Sequence, residues 1–95
     1  MEIKPINLKA RILENQNIIA ALSALAQESR LAVFRLLVRA GPQGMAASKI
    51  GEQLGIPPSS LSFHLKELTH AALTVARQEG RFIIYTANFQ TMNAV

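Results

Sequence analysis

The 95-residue sequence contains no cysteine and no tryptophan, and it also lacks aspartate. Without cysteine, these residues cannot form a disulfide, a thiolate metal site or a cysteine-based redox sensor. Charged residues make up only 17% of the chain and apolar residues 49%, a balance typical of a folded domain rather than a disordered segment. The length suffices for one domain with one modest core.

Two kinds of targeting segment are missing from the sequence. No apolar run is long enough to span a membrane, and the first residues lack the apolar region of a signal peptide. We therefore expect a cytoplasmic protein without a membrane partner. The net charge of +4 and the pI of about 10.1 favour a polyanionic partner such as nucleic acid, although the ten lysines and arginines are spread along the chain.

The segment from Pro57 to Ala72 is the most informative. Pro58 suits the first position of a helix. Apolar side chains then recur at i, i+4, i+7 and i+11, and this stripe is predicted to face the core: Leu61, Leu65, Leu68 and Ala72. The opposite face carries Ser59, Ser62, Phe63, Lys66 and His70. Hydroxyls and a cation can reach phosphates and base edges, and an aromatic ring can pack on a thymine methyl group. The alternative is an ordinary amphipathic helix whose Phe63 packs on a neighbouring segment.

Three further helices are predicted before this segment. The apolar spacing predicts one from Ile18 to Ala26, preceded by a break at residues 15–17. A second begins near Gln27, forms the centre of the core because its apolar band is wide, and ends at Gly41-Pro42. A third runs from Ala46 to Leu54. The short turn between the third helix and the helix after Pro57 matches a helix-turn-helix layout.

A β-hairpin is predicted after Ala72. Two runs rich in β-branched and aromatic residues, 73–77 and 81–86, flank Gln78-Glu79-Gly80. Asn88 can cap a last helix, but the residues from Phe89 to Val95 are too few to form a stable one alone. This helix therefore packs on a partner, or the chain continues beyond Val95.

The order of these elements predicts a mainly α fold with a small β-hairpin wing, a winged helix-turn-helix (α-α-α-α-β-β-α). We divide the chain into an N-terminal arm or extra helix, 1–17, and a DNA-binding domain, 18–95, with a short or truncated last helix.

Several short motifs resemble ArsR/SmtB-type bacterial transcriptional repressors. Residues 24–31 (ALAQESRL) resemble the start of that family's second helix. Residues 62–68 (SFHLKEL), 79–81 (EGR) and Tyr85 resemble the rest of its core, so the likeness covers about 18–95. The resemblance implies a homodimeric repressor that binds a pseudo-palindromic operator in double-stranded DNA and is released when a ligand, often a metal or metalloid ion, binds.

Carried over position by position, the resemblance also implies the DNA-binding residues. Contacts in the major groove would come from Ser59, Ser60, Ser62, Phe63 and Lys66. Contacts with the adjacent backbone or minor groove would come from Arg77, Gln78 and Arg81. Ser48 and Lys49 are phosphate candidates at the start of the preceding helix. His64 stands where the family usually has histidine, but its helical angle places it beside the core stripe, so a DNA contact and a packed, hydrogen-bonded residue both stay open.

The sequence departs from the family at its metal sites. Many members bind soft metals through a Cys-x-Cys pair in the helix before the recognition helix, and the aligned residues here are Ala46, Ala47 and Ser48. A second family site uses aspartate and histidine on the last helix, and this chain has no aspartate. We therefore expect no cofactor or metal site within these residues. A metalloid inducer would need ligands beyond Val95.

Two other functions were compared with DNA binding. Catalysis is not expected, because no aspartate can orient a histidine and His64, Glu67 and His70 drift around one helix. A zinc site made of those three alone would lack a fourth protein ligand. A winged-helix module for protein–protein interaction, with Phe63 as its anchor, is the stronger alternative. Salt dependence separates the two, since only DNA binding releases condensed counterions.

Overall fold

The computed structural model describes residues 8–90. In chain order these form α1 (Leu8–Leu25), α2 (Glu28–Ala40), a 3-10 turn (Gly41–Gln43), β1 (Met45–Ala46), α3 (Ala47–Leu54), α4 (Pro58–His70), β2 (Thr74–Glu79) and β3 (Phe82–Ala87). This is the predicted winged helix-turn-helix with one additional strand. Phe89 and Gln90 are helical, and the rest of the predicted last helix, 91–95, lies outside the described residues, as does the start of the predicted arm, 1–7.

The first helix is longer than the sequence pattern predicts. α1 continues through residues 15–17, so the expected break there is wrong. Asparagine and glutamine lower helix propensity only slightly, so these three residues do not interrupt the helix. Among residues 14–25, whose side chains the structure describes, α1 buries Ala21 and Ala24. The division of the chain between residues 17 and 18 therefore falls inside a continuous helix.

The core lies between α2, α3 and α4. α2 begins near Gln27 as predicted, and Gln27 caps it, its side chain accepting a hydrogen bond of 2.9 Å from the backbone N–H of Arg30. The largest side chains withdrawn from solvent are Val33, Leu37, Ile50, Leu65, Leu68 and Leu73. Each such residue stabilises the fold by roughly 1.5–3 kcal/mol relative to an exposed one. The predicted central role of the second helix is confirmed.

The buried stripe of α4 is confirmed for its three leucines and wrong for Ala72. The helix ends at His70, and Ala72 is exposed with φ of 60°. The backbone N–H of Leu73 donates to the Leu68 carbonyl at 2.9 Å, and that of Ala72 to the Thr69 carbonyl at 3.0 Å. This pair of bonds is a Schellman motif, which turns the chain so that Leu73 replaces Ala72 in the core.

A close turn joins α3 to α4. The Gly51 carbonyl accepts hydrogen bonds from the backbone N–H groups of Gly55 and, at 3.0 Å, Ile56. A Cβ atom on Gly51 would lie 3.0 Å from the Ile56 carbonyl oxygen and 3.2 Å from Leu61 Cδ2. Glycine at this position thus lets the two helices approach. Ala46, predicted as the first residue of α3, is instead its N-cap.

The sheet has the order β1-β3-β2 and is antiparallel throughout. Glu79 pairs with Phe82, so the hairpin tip is Gly80-Arg81 rather than the predicted residues 78–80. β1 pairs with Tyr85 and Ile84 of β3 and attaches the hairpin to the body. A strand of two residues carries no period that a sequence pattern can reveal. Within residues 8–90, no helix combines the length and apolarity needed to cross a membrane.

Candidate nucleic-acid interface

A concave groove of about 1070 Å³ lies between α3, α4 and the wing, which is the β2–β3 hairpin. Buried Leu61 and Leu65 form its floor. The wing contributes Ala76, Ile83 and Tyr85, which share one side of the hairpin because cross-strand partners and alternate residues lie on the same side. The polar side chains around the groove are Ser48, Glu52, Ser62, Lys66, Thr69 and His70.

The structure brings three of the predicted DNA-binding residues together on this groove. Ser48 comes from α3, and Ser62 and Lys66 come from consecutive turns of α4. All three are exposed. Lys49 is also exposed on α3, but it does not line the groove. Side chains from two helices therefore border one concave surface that also carries the lysine ammonium.

Ser59 and Ser60 occupy the first turn of α4. Pro57 is the N-cap and Pro58 the first helical residue, and within the described residues no side chain caps this end. The first intrahelical bond runs from the N–H of Leu61 to the Pro57 carbonyl, at 2.9 Å. The N–H groups of the two serines therefore precede the hydrogen-bonded ladder and point out of the helix end, where the helix dipole favours an anion.

Phe63 and His64 form an edge-to-face aromatic pair. Their ring centroids are 5.8 Å apart and the planes are inclined at 63°. Phe63 is 55% exposed, so its ring is available to a partner. His64 is half-buried, and among residues 14–90, whose side chains the structure describes, its buried Nδ1 has no hydrogen-bond partner. One edge of the imidazole thus packs into the body without the hydrogen bond proposed for it, and its contact with DNA stays a prediction.

The three predicted wing residues point in different directions. Arg81 lies exposed at the tip, beside Gly80. Gln78 pairs with Ile83 and shares the side of the wing that lines the groove, and its Nε2 donates to the Gly80 carbonyl at 3.3 Å. Arg77 lies on the other side, where its guanidinium contacts Glu79 and the turn after α2. Gln78 and Arg81 are therefore more accessible than Arg77 to a partner bound at the groove.

Sequence reasoning missed the groove residues contributed by the wing, and it missed Thr69 in the last turn of α4. The period-two pattern of β3 could have placed Ile83 and Tyr85 on one side of the hairpin. No local signal shows that Thr69 lies beside Thr74, although their hydroxyl oxygens are 3.0 Å apart. That contact depends on how the chain turns after α4.

No group of three or more histidine, cysteine, aspartate or glutamate side chains is placed to hold a metal ion within residues 8–90. Ala46 and Ser48, which align with the two cysteines of the family's Cys-x-Cys pair, lie where β1 meets α3. Neither side chain supplies a thiolate, so this position offers no soft-metal ligand pair.

The comparisons with known proteins agree with this geometry. A family model described as a helix-turn-helix domain matches residues 25–77. YceK, an uncharacterized HTH-type transcriptional regulator of Bacillus subtilis (strain 168), is 38% identical over 58 residues, which is 61% of this chain and 57% of YceK. The chain spans about half the length of the curated relatives that it matches.

Two solved structures show the same fold. The homodimeric winged helix-turn-helix DNA-binding domain of Mb0332 from Mycobacterium bovis superposes with a TM-score of 0.76 at 23% identity, covering 98% of this chain and 83% of that one. An ArsR-like transcriptional regulator from Rhodococcus sp. RHA1 superposes with a TM-score of 0.73 at 24% identity, covering 83% of this chain and 72% of that one. The chain therefore belongs to the helix-turn-helix domain family, in which its motifs and fold place it among the ArsR-type winged helix-turn-helix regulators.

Proposed function

We propose that the chain is the DNA-binding part of a dimeric, cytoplasmic transcriptional repressor that recognises a specific operator in double-stranded DNA. One observation carries the proposal. α4 has an uncapped, polar first turn and an exposed row of Ser62, Phe63 and Lys66 that continues from it along the helix. A helix with these features can enter the major groove of B-DNA, which is about 12 Å wide.

The first turn of α4 supplies anchoring contacts in this proposal. The backbone N–H groups of Ser59 and Ser60 and their hydroxyls can donate to one phosphate at the helix N-terminus. Lys66, two turns along the same helix, adds a cationic contact with the backbone. These contacts position α4 and carry no sequence information.

Base recognition falls to Ser62 and Phe63 at the middle of the exposed row. A hydroxyl can donate to or accept from base edges, and an aromatic ring can pack on the thymine methyl group. Arg81 at the wing tip would reach the flanking backbone or minor groove, where a narrow groove attracts arginine. Recognition helix and wing would then contact neighbouring parts of one half-site.

Dimerisation is proposed from the exposed apolar residues of α1. Ile19 and Leu22 are 61% and 51% exposed. Exposed apolar side chains on one helix favour a protein interface, and a second copy is the partner suggested by the homodimeric Mb0332 domain. A two-fold dimer predicts two half-sites about 34–36 Å apart, or a multiple of that spacing.

Release from DNA by a small ligand is the second part of the proposal, and it is inferred from the resemblance to ArsR/SmtB-type repressors. Within residues 8–90, no three histidine, cysteine, aspartate or glutamate side chains are placed to hold one metal ion. A metal or metalloid inducer would therefore draw ligands from elsewhere, such as residues beyond Val95. Titration of the DNA complex with trivalent arsenic, zinc and a chelator control tests this part separately.

Fluorescence anisotropy with duplex DNA from immediately upstream of the natural gene tests the main proposal. A scrambled duplex is the control, and both are measured at two salt concentrations. Tight, salt-sensitive binding that prefers the upstream duplex supports a repressor. Equal, weak binding to both would count against it and favour the protein-interaction alternative, in which the exposed Phe63 ring is the anchor.

A further inference from the structure

The guanidinium of Arg77 joins the wing to the turn that follows α2. Its Nη2 donates to the Gln43 carbonyl at 2.7 Å, and its Nη1 lies 3.5 Å from the Pro42 carbonyl oxygen. Its Nε donates to Glu79 Oε1 at 2.9 Å. One rigid, planar group therefore contacts two segments that are 34 residues apart in the chain.

The position of Arg77 in the sheet explains why this contact matters. β2 is an edge strand, paired only with β3, and β3 pairs on its other side with the two residues of β1. Arg77 lies in the middle of β2, opposite Ile84. Its side chain reaches the segment just before β1, on the far side of β3. It therefore attaches the wing to the body in addition to the β1–β3 pairing and the hydrogen bonds of Thr74 and Asn88 at the base of the hairpin.

The same geometry turns Arg77 away from the groove. Ala76 and Ile83 line the groove, and Gln78 shares their side of the hairpin. Arg77 alternates with these residues and lies on the opposite side. Its Nε and Nη2 donors are already committed to protein acceptors.

We propose that Arg77 is a positioning residue, which holds the wing so that Arg81 at its tip meets the DNA backbone, and that it makes no DNA contact of its own. The inference rests on the proposed DNA-binding function. It replaces the direct contact that the family resemblance implies for Arg77. Without this attachment, the wing would spend part of its time in other orientations. The apparent affinity for DNA would then be the intrinsic affinity multiplied by the fraction of molecules whose wing is correctly placed.

Amide hydrogen exchange of the full chain tests the attachment without DNA. In Arg77→Ala, amides of 43–46 and 74–79 should exchange about 3- to 10-fold faster, because the contact that resists local opening is lost, while those of α2 keep their rates. Arg35→Ala is the matched control, since it removes the same charge from an exposed site on α2. Equal exchange in Arg77→Ala and the unmodified protein would overturn the proposal.

A double-mutant cycle, measured by DNA binding, tests whether Arg77 positions Arg81. Arg77→Ala should weaken operator binding about 3- to 10-fold with an unchanged salt slope, and it should add no further loss in an Arg81→Ala background. A direct phosphate contact predicts the opposite: the salt slope falls by about 1 per contact and the two losses add. A reduced salt slope or additive losses would contradict the proposal.

Arg77→Lys provides a further discrimination. Lysine keeps the charge that a phosphate contact needs, but a single ammonium cannot reach Glu79 and the Gln43 carbonyl with the geometry of the guanidinium. We expect it to behave like Arg77→Ala, and affinity equal to that of the unmodified protein would contradict us. A protein that binds no DNA at all would overturn the proposed function and the role toward Arg81 together, while the exchange rates still decide whether Arg77 holds the wing.

Discussion

The side chain of Asn88 donates a hydrogen bond of 2.9 Å from Nδ2 to the carbonyl oxygen of Ala72. The backbone N–H of Asn88 also donates to the Leu73 carbonyl at 2.8 Å. Two bonds therefore join the residue after β3 to the turn after α4. Since α4 and the wing border the same groove, this connection holds the two elements of the proposed interface together.

Replacing Ala72 with glycine should stabilise the protein by about 0.5–1 kcal/mol. Ala72 has φ of 60°, and among residues 8–90 no other non-glycine residue has a positive φ. A left-handed conformation costs an L-residue about 1–2 kcal/mol, which exceeds the extra unfolded-state entropy of glycine. Urea unfolding measures the change. The matched control is Ala71→Gly, because Ala71 has φ of −81° and should lose stability. Equal effects of the two substitutions would contradict the strained turn.

Asn88→Asp should destabilise the protein by about 0.5–1.5 kcal/mol, the contribution of one exposed or half-exposed hydrogen bond. Aspartate has nearly the shape of asparagine but no side-chain N–H group, so its side chain cannot donate to the Ala72 carbonyl. Thermal unfolding of this variant, with Gln90→Ala at an exposed neighbouring site as control, measures the loss. Stability equal to that of the unmodified protein would show that the side-chain bond contributes nothing.

Lys66→Ala should weaken binding to every duplex by a similar factor. Phosphate contacts are independent of sequence, so the operator and the scrambled duplex lose affinity together, and the salt slope falls by about 1 per contact. Anisotropy titrations over a range of salt concentrations give both quantities. Arg35→Ala removes an equal charge from the exposed side of α2 and should leave the slope unchanged. A loss confined to the operator would assign Lys66 to base recognition instead.

Phe63→Ala should lower discrimination at one base pair by about 1–3 kcal/mol, as expected for the loss of a base contact. Titrations with single-position operator variants locate that base pair. Phe82→Ala is the control, because Phe82 is 54% exposed on the side of the wing away from the groove. If Phe63→Ala weakens all operator variants equally, the ring does not read a base.

Leu22→Glu should convert a dimer into monomers at micromolar concentration, because a buried, unpaired carboxylate is costly at an apolar interface. Sedimentation equilibrium measures the mass directly. Val75→Glu is the matched control: Val75 is 50% exposed on β2, outside the proposed interface. A monomeric unmodified protein at that concentration would rule out a stable dimer made by these residues alone.

Several parts of the fold follow from signals that lie close together in the chain. Pro58 starts α4, α2 begins near Gln27 and the leucine stripe of α4 faces the core, as the sequence predicts. One local pattern was misleading. The asparagines at positions 15 and 17 suggested a break, yet α1 is continuous there, because asparagine and glutamine lower helix propensity only slightly.

The candidate site was predictable in part. The exposed row of α4 follows from helical angle alone, and Ser62 and Lys66 do border the groove. His64 could not be assigned, because its environment depends on the neighbouring helices. Arg77 could be recognised as basic and near the hairpin, but its partner, the Gln43 carbonyl, is a backbone atom that carries no sequence signature.

The sequence by itself determined that α2, α3, α4 and the β2–β3 hairpin form and which face of α4 is polar. These properties depend on residues within one or two turns of each other, so their order along the chain contains them. The tertiary structure decided what joins those segments: the β1–β3 pairing, the bond from Asn88 to Ala72 and the attachment of Arg77. Each of these brings together groups far apart in the chain, and their meeting depends on how the whole core packs.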